Sequence, residues 1–432
     1  METAVLGLFV CILLCCVLAG LSVVPALVLG YLLFALYALR KGFSPGEVWN
    51  MSFQGIKTTR NILTTFVLIG VLTALWRAGG TIPAIVCGAV RAMTPGLFFL
   101  FTYLLNCLVS FLTGTAFGAA ATMGAVCAAM GRALEISPVL TGGAVLSGVY
   151  FGDRCSPVST SALLVAEVTG TGLYGNIRAM VKSAAVPFAL TCGIYALCGV
   201  LSPPGSGQGG DVAALFRQEF RLGLVPLVPA ALILILSLAR AGVKTTMAAS
   251  IAAAAGVCLL YQGLPAADVL RFSLLGFSAR SESLSPMIDG GGVASMVRVG
   301  AIVCISSCYA GIFQKTGLLD PIRAKIGALE KKASPFGAMV LVSAAGAAAS
   351  CNQTLTILLT RQLCARLGLP KEKMALYLEN SAVVIAPLIP WSIAGSVPLA
   401  SAGAPALSLA ASFFLFLLPA WQLICPAGGE ET

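Results

Sequence analysis

Apolar runs of about 17 residues or more recur from one end of this chain to the other, beginning with "VLGLFVCILLCCVLAG" at residues 5–20. A run of that length suits a helix that crosses a bilayer, and a chain with many of them can fold only with lipid as part of its solvent. The balance of residues agrees. Of 432 residues, 58% are hydrophobic and 10% charged, with a mean hydropathy of +0.97. A soluble domain carries about 25% charged residues, so no water-soluble fold of this length could hide so much apolar surface. The short alternating segments of a transmembrane β-barrel are absent. The fold class expected is therefore an all-α polytopic membrane protein.

Several features narrow the chemistry. There is no His, so no imidazole can carry a proton or hold a metal. The 15 Cys are scattered through apolar segments and show no zinc-ligand spacing, which reads as small buried hydrophobes rather than ligands or disulfides. The first segment has neither a basic leader nor an A-x-A-like cleavage site and reads as a retained helix. The net charge of +10 is a topology signal here and no sign of nucleic-acid binding.

The expected spans are residues 4–20, 22–39, 59–77, 138–168 and 183–200, then 222–239, 245–262, 298–316, 374–400 and 405–425. Two further apolar stretches, 97–131 and 338–368, are broken near the middle by small and polar residues, "SFLTGTAFGAAATMG" and "SAAGAAASCNQTLT". They predict re-entrant helical hairpins, with irregular backbone buried in protein or lining a wet cavity. With the N-terminus cytoplasmic, this layout places about twice as many basic residues inside as outside, as the positive-inside rule requires. The two halves resemble each other. "SPGEVWNMSFQG" (44–55) parallels "LPAADVLRFSLLG" (264–276), and "LWRAGGTIPAI" (75–85) parallels "IFQKTGLLDPI" (312–322). An odd number of crossings per half turns the second copy upside down. The expected organisation is an N-terminal repeat over 1–200, a linker over 201–221 containing "SPPGSGQGGD", an inverted C-terminal repeat over 222–425 and a cytoplasmic tail over 426–432. Inverted repeats with discontinuous helices at the midplane point to secondary transporters.

The segment "YFGDRCSPVSTS" (150–161) carries the chemistry. Pro157 lacks an N–H and predicts a helix break. A break exposes carbonyls at one half-helix end and N–H groups at the other, and unwound carbonyls favour cations. Ser156, Ser159 and Thr160 add hydroxyls, and Asp153 adds charge. A carboxylate at the bilayer centre costs roughly 2.5–3.5 kcal/mol on insertion scales, a cost that makes sense if the site binds a cation or a proton. A second break is predicted in "NSAVVIAPLIPWSIAGS" (380–396), at Pro387 and Pro390, where the counterpart of Asp153 is about Ala386. Asp153, Glu379 and Glu167 are the candidates to carry a proton. The plainer readings are a structural Asp153–Arg154 ion pair, interfacial Glu167 and Glu379, and hairpin glycines that serve only packing.

"SFLTGTAFG", "GAVLSGVYFGDRCSPVS", "GTGLYGNIRAM" and "LYLENSAVVIAPLIPWSIAG" resemble the NhaC family of Na+/H+ antiporters within the wider ion-transporter superfamily. The resemblance spans most of residues 100–400. It implies an elevator-like transporter in which the hairpin tips meet the broken helices. By motif position, Thr113, Gly114, Thr115, Asp153, Ser156, Ser159, Asn352, Gln353, Glu379, Pro387 and Ser392 lie at or near the substrate site; Thr160, Thr354, Asn380 and Ser381 adjoin them. The chain departs from the family where Ser-Asp-Thr-Thr is replaced by Ser159-Thr160-Ser161, Gly-Asp-Gln by Cys351-Asn352-Gln353 and Leu-Glu-Asp by Leu378-Glu379-Asn380. Three family carboxylates are missing, two of them replaced by amides.

The reading that follows is cation–proton antiport by alternating access, in the plasma (inner) membrane of a bacterium, with both termini cytoplasmic. The alternative is an Na+- or H+-coupled transporter of a small organic ion, a carboxylate or amino acid, with Arg154 close to an anion. A channel or intramembrane enzyme is disfavoured by the inverted repeat and by the lack of a catalytic constellation. No cofactor is expected. The partners expected are Na+, H+ or both, membrane lipids and a second copy in a homodimer, and not nucleic acid.

Overall fold

Inside lipid a backbone amide has no partner but its own chain, so apolar runs become helix. A computed structural model describes residues 2–18, 23–92, 95–157, 159–202, 209–239, 241–282, 284–318 and 334–425. The expected tail at 426–432, the polar part of the linker at 203–208, and most of the stretch that parallels "TIPAI" lie outside them. Among the described residues the chain is helical, with no strand and one isolated bridge between Phe277 and Gly290. Large apolar side chains such as Leu36, Leu197, Ile235 and Leu260 stand exposed on the outer faces of these helices, where lipid would cover them.

The expected spans fall largely on helix, but the count of uninterrupted crossings is smaller than the about ten that hydropathy suggests. Four helices are long and apolar enough by themselves: Leu173–Leu201, Lys244–Tyr261, Gly292–Phe313 and Ala406–Ile424. Two more spans arise if the bent pairs Leu63–Ala78 with Thr81–Gly88 and Lys371–Leu388 with Ile393–Ser401 each count once. The remainder are shorter apolar helices or half-helices on either side of a break. The expected linker is described only in part. Its second part forms the helix Gly209–Glu219, and the buried rings of Phe216 and Phe220 anchor that end of it.

The long helix Pro45–Ala78 begins at a capping box. The Ser44 hydroxyl accepts from the Glu47 N–H, and the Glu47 carboxylate accepts from the Ser44 N–H at 2.8 Å. These bonds hold the Glu47 carboxyl, outside the membrane, below its ordinary range. The helix ends at Gly79–Gly80 and bends by 64° into the next. It packs directly on Gly292–Thr316: a Cβ on Gly55 would lie 1.9 Å from the Ser307 carbonyl, so only glycine admits that approach. The parallel segment of the second half folds differently. The helix Ala266–Leu275 stops at Gly276, and Gly290, Gly291 and Gly292 also have positive φ. Those four glycines allow a loop where the first half runs on as helix.

At the centre lie two helical hairpins and two broken helices. The first hairpin runs Phe98–Thr113, turns, and returns as Ala116–Ala119, a π turn Ala120–Gly124 and Ala125–Ala133. The second runs Pro335–Ser350, turns, and returns as Gln353–Leu363. Both turns have one design. Gly114 (φ 65°) and Cys351 (φ 55°) are left-handed; Thr115 (φ −151°) and Asn352 (φ −144°) are extended and cap the returning helix. Glycine adopts the left-handed state freely, whereas at Cys351 it costs roughly 1–2 kcal/mol. The first broken helix is Pro138–Cys155 followed by Thr160–Thr169. The second is Lys371–Asn380, Ala382–Ile385 and a 3-10 turn Ala386–Leu388, followed by Ile393–Ser401.

The first hairpin and the first broken helix pack through glycine. A Cβ on Gly152 would lie 2.4 Å from the Ser110 Cβ and 2.5 Å from the Phe111 N. Gly152→Val is expected to lower stability by about 1–3 kcal/mol or more, read as a fall in the melting temperature of the purified protein in detergent. Gly193→Ala, in a helix with nothing within 4 Å of the new Cβ, is expected to be neutral or to stabilise by about 0.5–1 kcal/mol. Equal effects of the two would show that the packing is not as described.

Candidate ion-binding site

Four chain breaks make the site: two hairpin turns and two gaps between half-helices. In the first gap Ser156 ends one half-helix and Ser159 begins the next, its hydroxyl accepting from the N–H groups of Ser161 and Ala162. Asp153 sits in the last turn before the gap and is 4% exposed. The Ser159 hydroxyl donates to its Oδ1 at 3.2 Å and the Ser161 hydroxyl to its Oδ2 at 2.9 Å. The Ala116 N–H, at the start of the hairpin's returning arm, also donates to it. One carboxylate thus joins both sides of the helix break to the tip of the first hairpin.

The second gap repeats the plan without an acid. Ser392 caps Ile393–Ser401 with φ −74° and ψ 139°, close to the −70° and 136° of Ser159. The residue six before Ser392 is Ala386, as the sequence predicts. The hairpin again closes on the gap. The Ile393 N–H donates to the Cys351 carbonyl at 2.9 Å, Trp391 Nε1 to the Ala348 carbonyl at 2.8 Å and Gln353 Nε2 to the Val383 carbonyl at 3.1 Å. The two gaps are then tied together: the Tyr150 hydroxyl donates to the Ala394 carbonyl at 2.8 Å.

Arg154 points elsewhere. Its guanidinium is fully buried and donates to the Met180 carbonyl and the Ser183 hydroxyl, each at 3.1 Å, and to Asn380 Oδ1. Asn380 Nδ2 in turn donates to Gln422 Oε1 at 2.7 Å. Among the described residues no bond joins Arg154 to Asp153, so the plain reading of a local ion pair does not hold. Glu379 is 0% exposed and neither carboxylate oxygen has a hydrogen-bond partner. The charges that act on it are Arg154 and Asp153.

The other sequence-predicted residues divide. Thr115 and Asn352 are the hairpin caps, Gly114 the left-handed turn. Ser381 donates to the Tyr377 carbonyl and accepts from Ser343. Pro157 and Pro390 lie in the gaps, and Pro387 in the 3-10 turn just before the second. Thr113 lines a cavity of about 20 Å³ with Gly118, Thr122, Thr246 and Met247, room for one water. Thr160, Thr354 and Glu167 are exposed and stand outside the Asp153 network. Thr160 fails because it is the first residue of the half-helix and turns outward; Ser161, one position on, takes its place. The sequence reading missed Ser161, Tyr150 and Trp391. Ser161 lay in plain view beside a candidate cap, while the other two bond across more than 40 residues and leave no local signal.

The model of the family described as "Na+/H+ antiporter family" matches residues 2–166 and 148–425. The chain belongs to the Na+/H+ antiporter family. It is similar to the Na+/H+ antiporter NhaC of Alkalihalophilus pseudofirmus, 27% identical over 398 residues, covering 88% of this chain and 84% of the relative. It is also similar to the malate-2H+/Na+-lactate antiporter of Bacillus subtilis, 25% identical over 405 residues, covering 90% and 85%. A third relative is the arginine/ornithine antiporter ArcD of Halobacterium salinarum, 27% identical over 392 residues, covering 86% and 80%. The antiporter is accordingly an integral membrane protein.

The hairpin cap gives a direct test of how the antiporter's centre is built. The Asn352 side chain accepts from the N–H groups of Thr354 and Leu355. Asn352→Ala is expected to cost about 1 kcal/mol of stability, read as a lower detergent melting temperature, while Asn352→Asp retains the cap. If Ala and Asp behave alike, the side chain does not hold the turn.

Proposed function

We propose that this chain is a secondary active transporter of the NhaC type that exchanges Na+ for H+ by alternating access, with Asp153 as the carboxylate both ions use. The observation that carries the reading is the position of Asp153, an acid buried among helix breaks and bonded to the Ser159 and Ser161 hydroxyls and the Ala116 N–H. Na+ takes oxygen ligands, which carbonyls at unwound helix ends and hydroxyls supply. The Asp153 carboxylate, Ser159 and Ser161 are such a set, and Ser156 ends the half-helix beside them. The hydroxyls that now donate to Asp153 can rotate to present oxygen to a cation. A proton on Asp153 would neutralise the same carboxylate, so the two ions compete.

The architecture proposed with it is two inverted repeats over 1–200 and 222–425, with the hairpins re-entrant and both termini cytoplasmic in a bacterial inner membrane. The matched hairpin turns and the matched caps Ser159 and Ser392 support common descent of the two halves. The biased distribution of basic residues supports the orientation. The tie between Tyr150 and Ala394 supports a site formed where the repeats cross.

The second reading, an organic ion as cargo, draws on the relatives named for malate, lactate, arginine and ornithine. For a carboxylate the receptor read from the sequence was Arg154, and its two terminal nitrogens are already engaged with protein acceptors. That geometry favours the inorganic cation.

Asp153→Asn keeps the shape of the side chain and removes its charge. In sealed proteoliposomes it is expected to reduce Na+-dependent proton movement by about tenfold or more, with insertion and melting temperature retained. Wild-type rates in this variant would remove Asp153 from the site. Uptake of a labelled carboxylate or amino acid, without Na+-coupled proton movement, would favour the second reading.

A further inference from the structure

The charges buried around the helix breaks form a small set. Asp153, Arg154 and Glu379 are 4%, 0% and 0% exposed. The charged groups acting on Glu379 are the other two. The remaining titratable neighbours are Tyr150 beside Asp153 and Cys155 beside Arg154, both neutral groups at ordinary pH. Among the described residues Arg154 is bonded only to neutral acceptors: two hydrogen bonds go to Met180 and Ser183, one to the Asn380 amide and a weak contact to the Cys155 sulfur. Its Nε and both Glu379 oxygens are buried without a partner. Asn380 therefore holds the guanidinium in place without neutralising it.

With both acids ionised, the fixed charges are two negative and one positive. One mobile monovalent cation brings the buried cluster to neutrality, and a low-dielectric interior penalises any other total. Na+ and H+ are equivalent for this purpose. We propose that Arg154 is a resident counter-cation that fixes the exchange at one H+ for one Na+, so that transport moves no net charge. In each half-cycle the cluster crosses neutral, carrying Na+ one way and a single proton the other. Asn380 is the residue that leaves Arg154 free for this role; a carboxylate there would cancel the guanidinium on the spot and leave Asp153 and Glu379 to be balanced by two mobile cations.

This inference rests on the Na+/H+ reading above, and the test separates the two. The full-length protein is reconstituted into proteoliposomes with an imposed Na+ gradient, and the pH difference that just stops net proton movement is measured. For wild type, a tenfold Na+ gradient is expected to balance at about one pH unit, and an inside-negative potential set with K+ and valinomycin should not move that point. For Asn380→Asp neutrality requires two mobile cations in each half-cycle, two Na+ one way and two protons the other, so the balance is expected to stay at about one pH unit while the dependence of initial rate on Na+ turns from hyperbolic to sigmoidal. A wild-type balance that moves with potential, or lies near half a unit, overturns the inference while leaving Na+/H+ exchange intact. A hyperbolic Na+ dependence in a transporting Asn380→Asp also overturns it. If that variant does not insert, the wild-type balance point alone decides. Absence of any Na+-dependent proton movement by wild type overturns the antiport reading and this inference with it.

Discussion

Broken backbone inside lipid must find its hydrogen bonds in the protein, and the centre of this molecule is organised by that demand. Four breaks leave N–H and carbonyl groups without helical partners. Thr115, Ser159, Asn352 and Ser392 cap the helices that follow. What the caps do not cover, neighbouring breaks supply: Ala116 N–H reaches Asp153, Ile393 N–H reaches Cys351, and Tyr150 reaches Ala394. Each gap is thus completed by a hairpin, and the Tyr150–Ala394 bond ties the two pairs together. This mutual dependence makes polar atoms affordable at membrane depth and concentrates them in one place.

The same demand explains where polar atoms gather. A continuous helix offers a cation nothing, because its carbonyls are already bonded. A break offers oxygen atoms and room for an acid. Only one of the two gaps received the acid. The second has Ala386 at the equivalent place and lends apolar packing instead, while Glu379 enters from its preceding half-helix. The site is asymmetric although its frame is matched, and the asymmetry gives the cluster two acids and one guanidinium rather than a symmetric set of carboxylates.

Much of this was legible in the residues. Pro157, Pro387 and Pro390 mark the gaps because proline cannot donate to a helix; "TGT" and "SCN" mark the hairpin turns because a left-handed residue followed by a cap needs small and polar side chains. Asp153 and Glu379 stood out as charges in apolar runs. What the residues could not show was direction. Arg154 follows Asp153 in sequence, yet successive side chains on a helix diverge by about 100°, so one meets the hairpin and the other meets Asn380 and Ser183. Thr160 and Ser161 exchange roles for the same reason. Nor could the match between "SPGEVWNMSFQG" and "LPAADVLRFSLLG" foresee that one becomes part of a 34-residue helix and the other a 10-residue one. Both matched segments end in glycine, Gly55 and Gly276; the difference lies downstream, in Gly290, Gly291 and Gly292, which the matched segments do not contain.

A frame of this kind separates holding from choosing. The caps and cross-gap bonds use main-chain atoms and short hydroxyls, which say little about cargo. Relatives named for Na+, for malate and lactate, and for arginine and ornithine can therefore share the family at 25–27% identity. Selectivity then falls to a few side chains that the frame does not need for its own closure. In this chain Glu379 is one side chain that the frame does not need, because among the described residues its oxygens accept no hydrogen bond. Asp153 belongs to both groups: it accepts the bonds that close the first gap and carries charge. A change at a residue with both duties would disturb structure as well as charge, whereas Glu379 can change without breaking a bond of the frame.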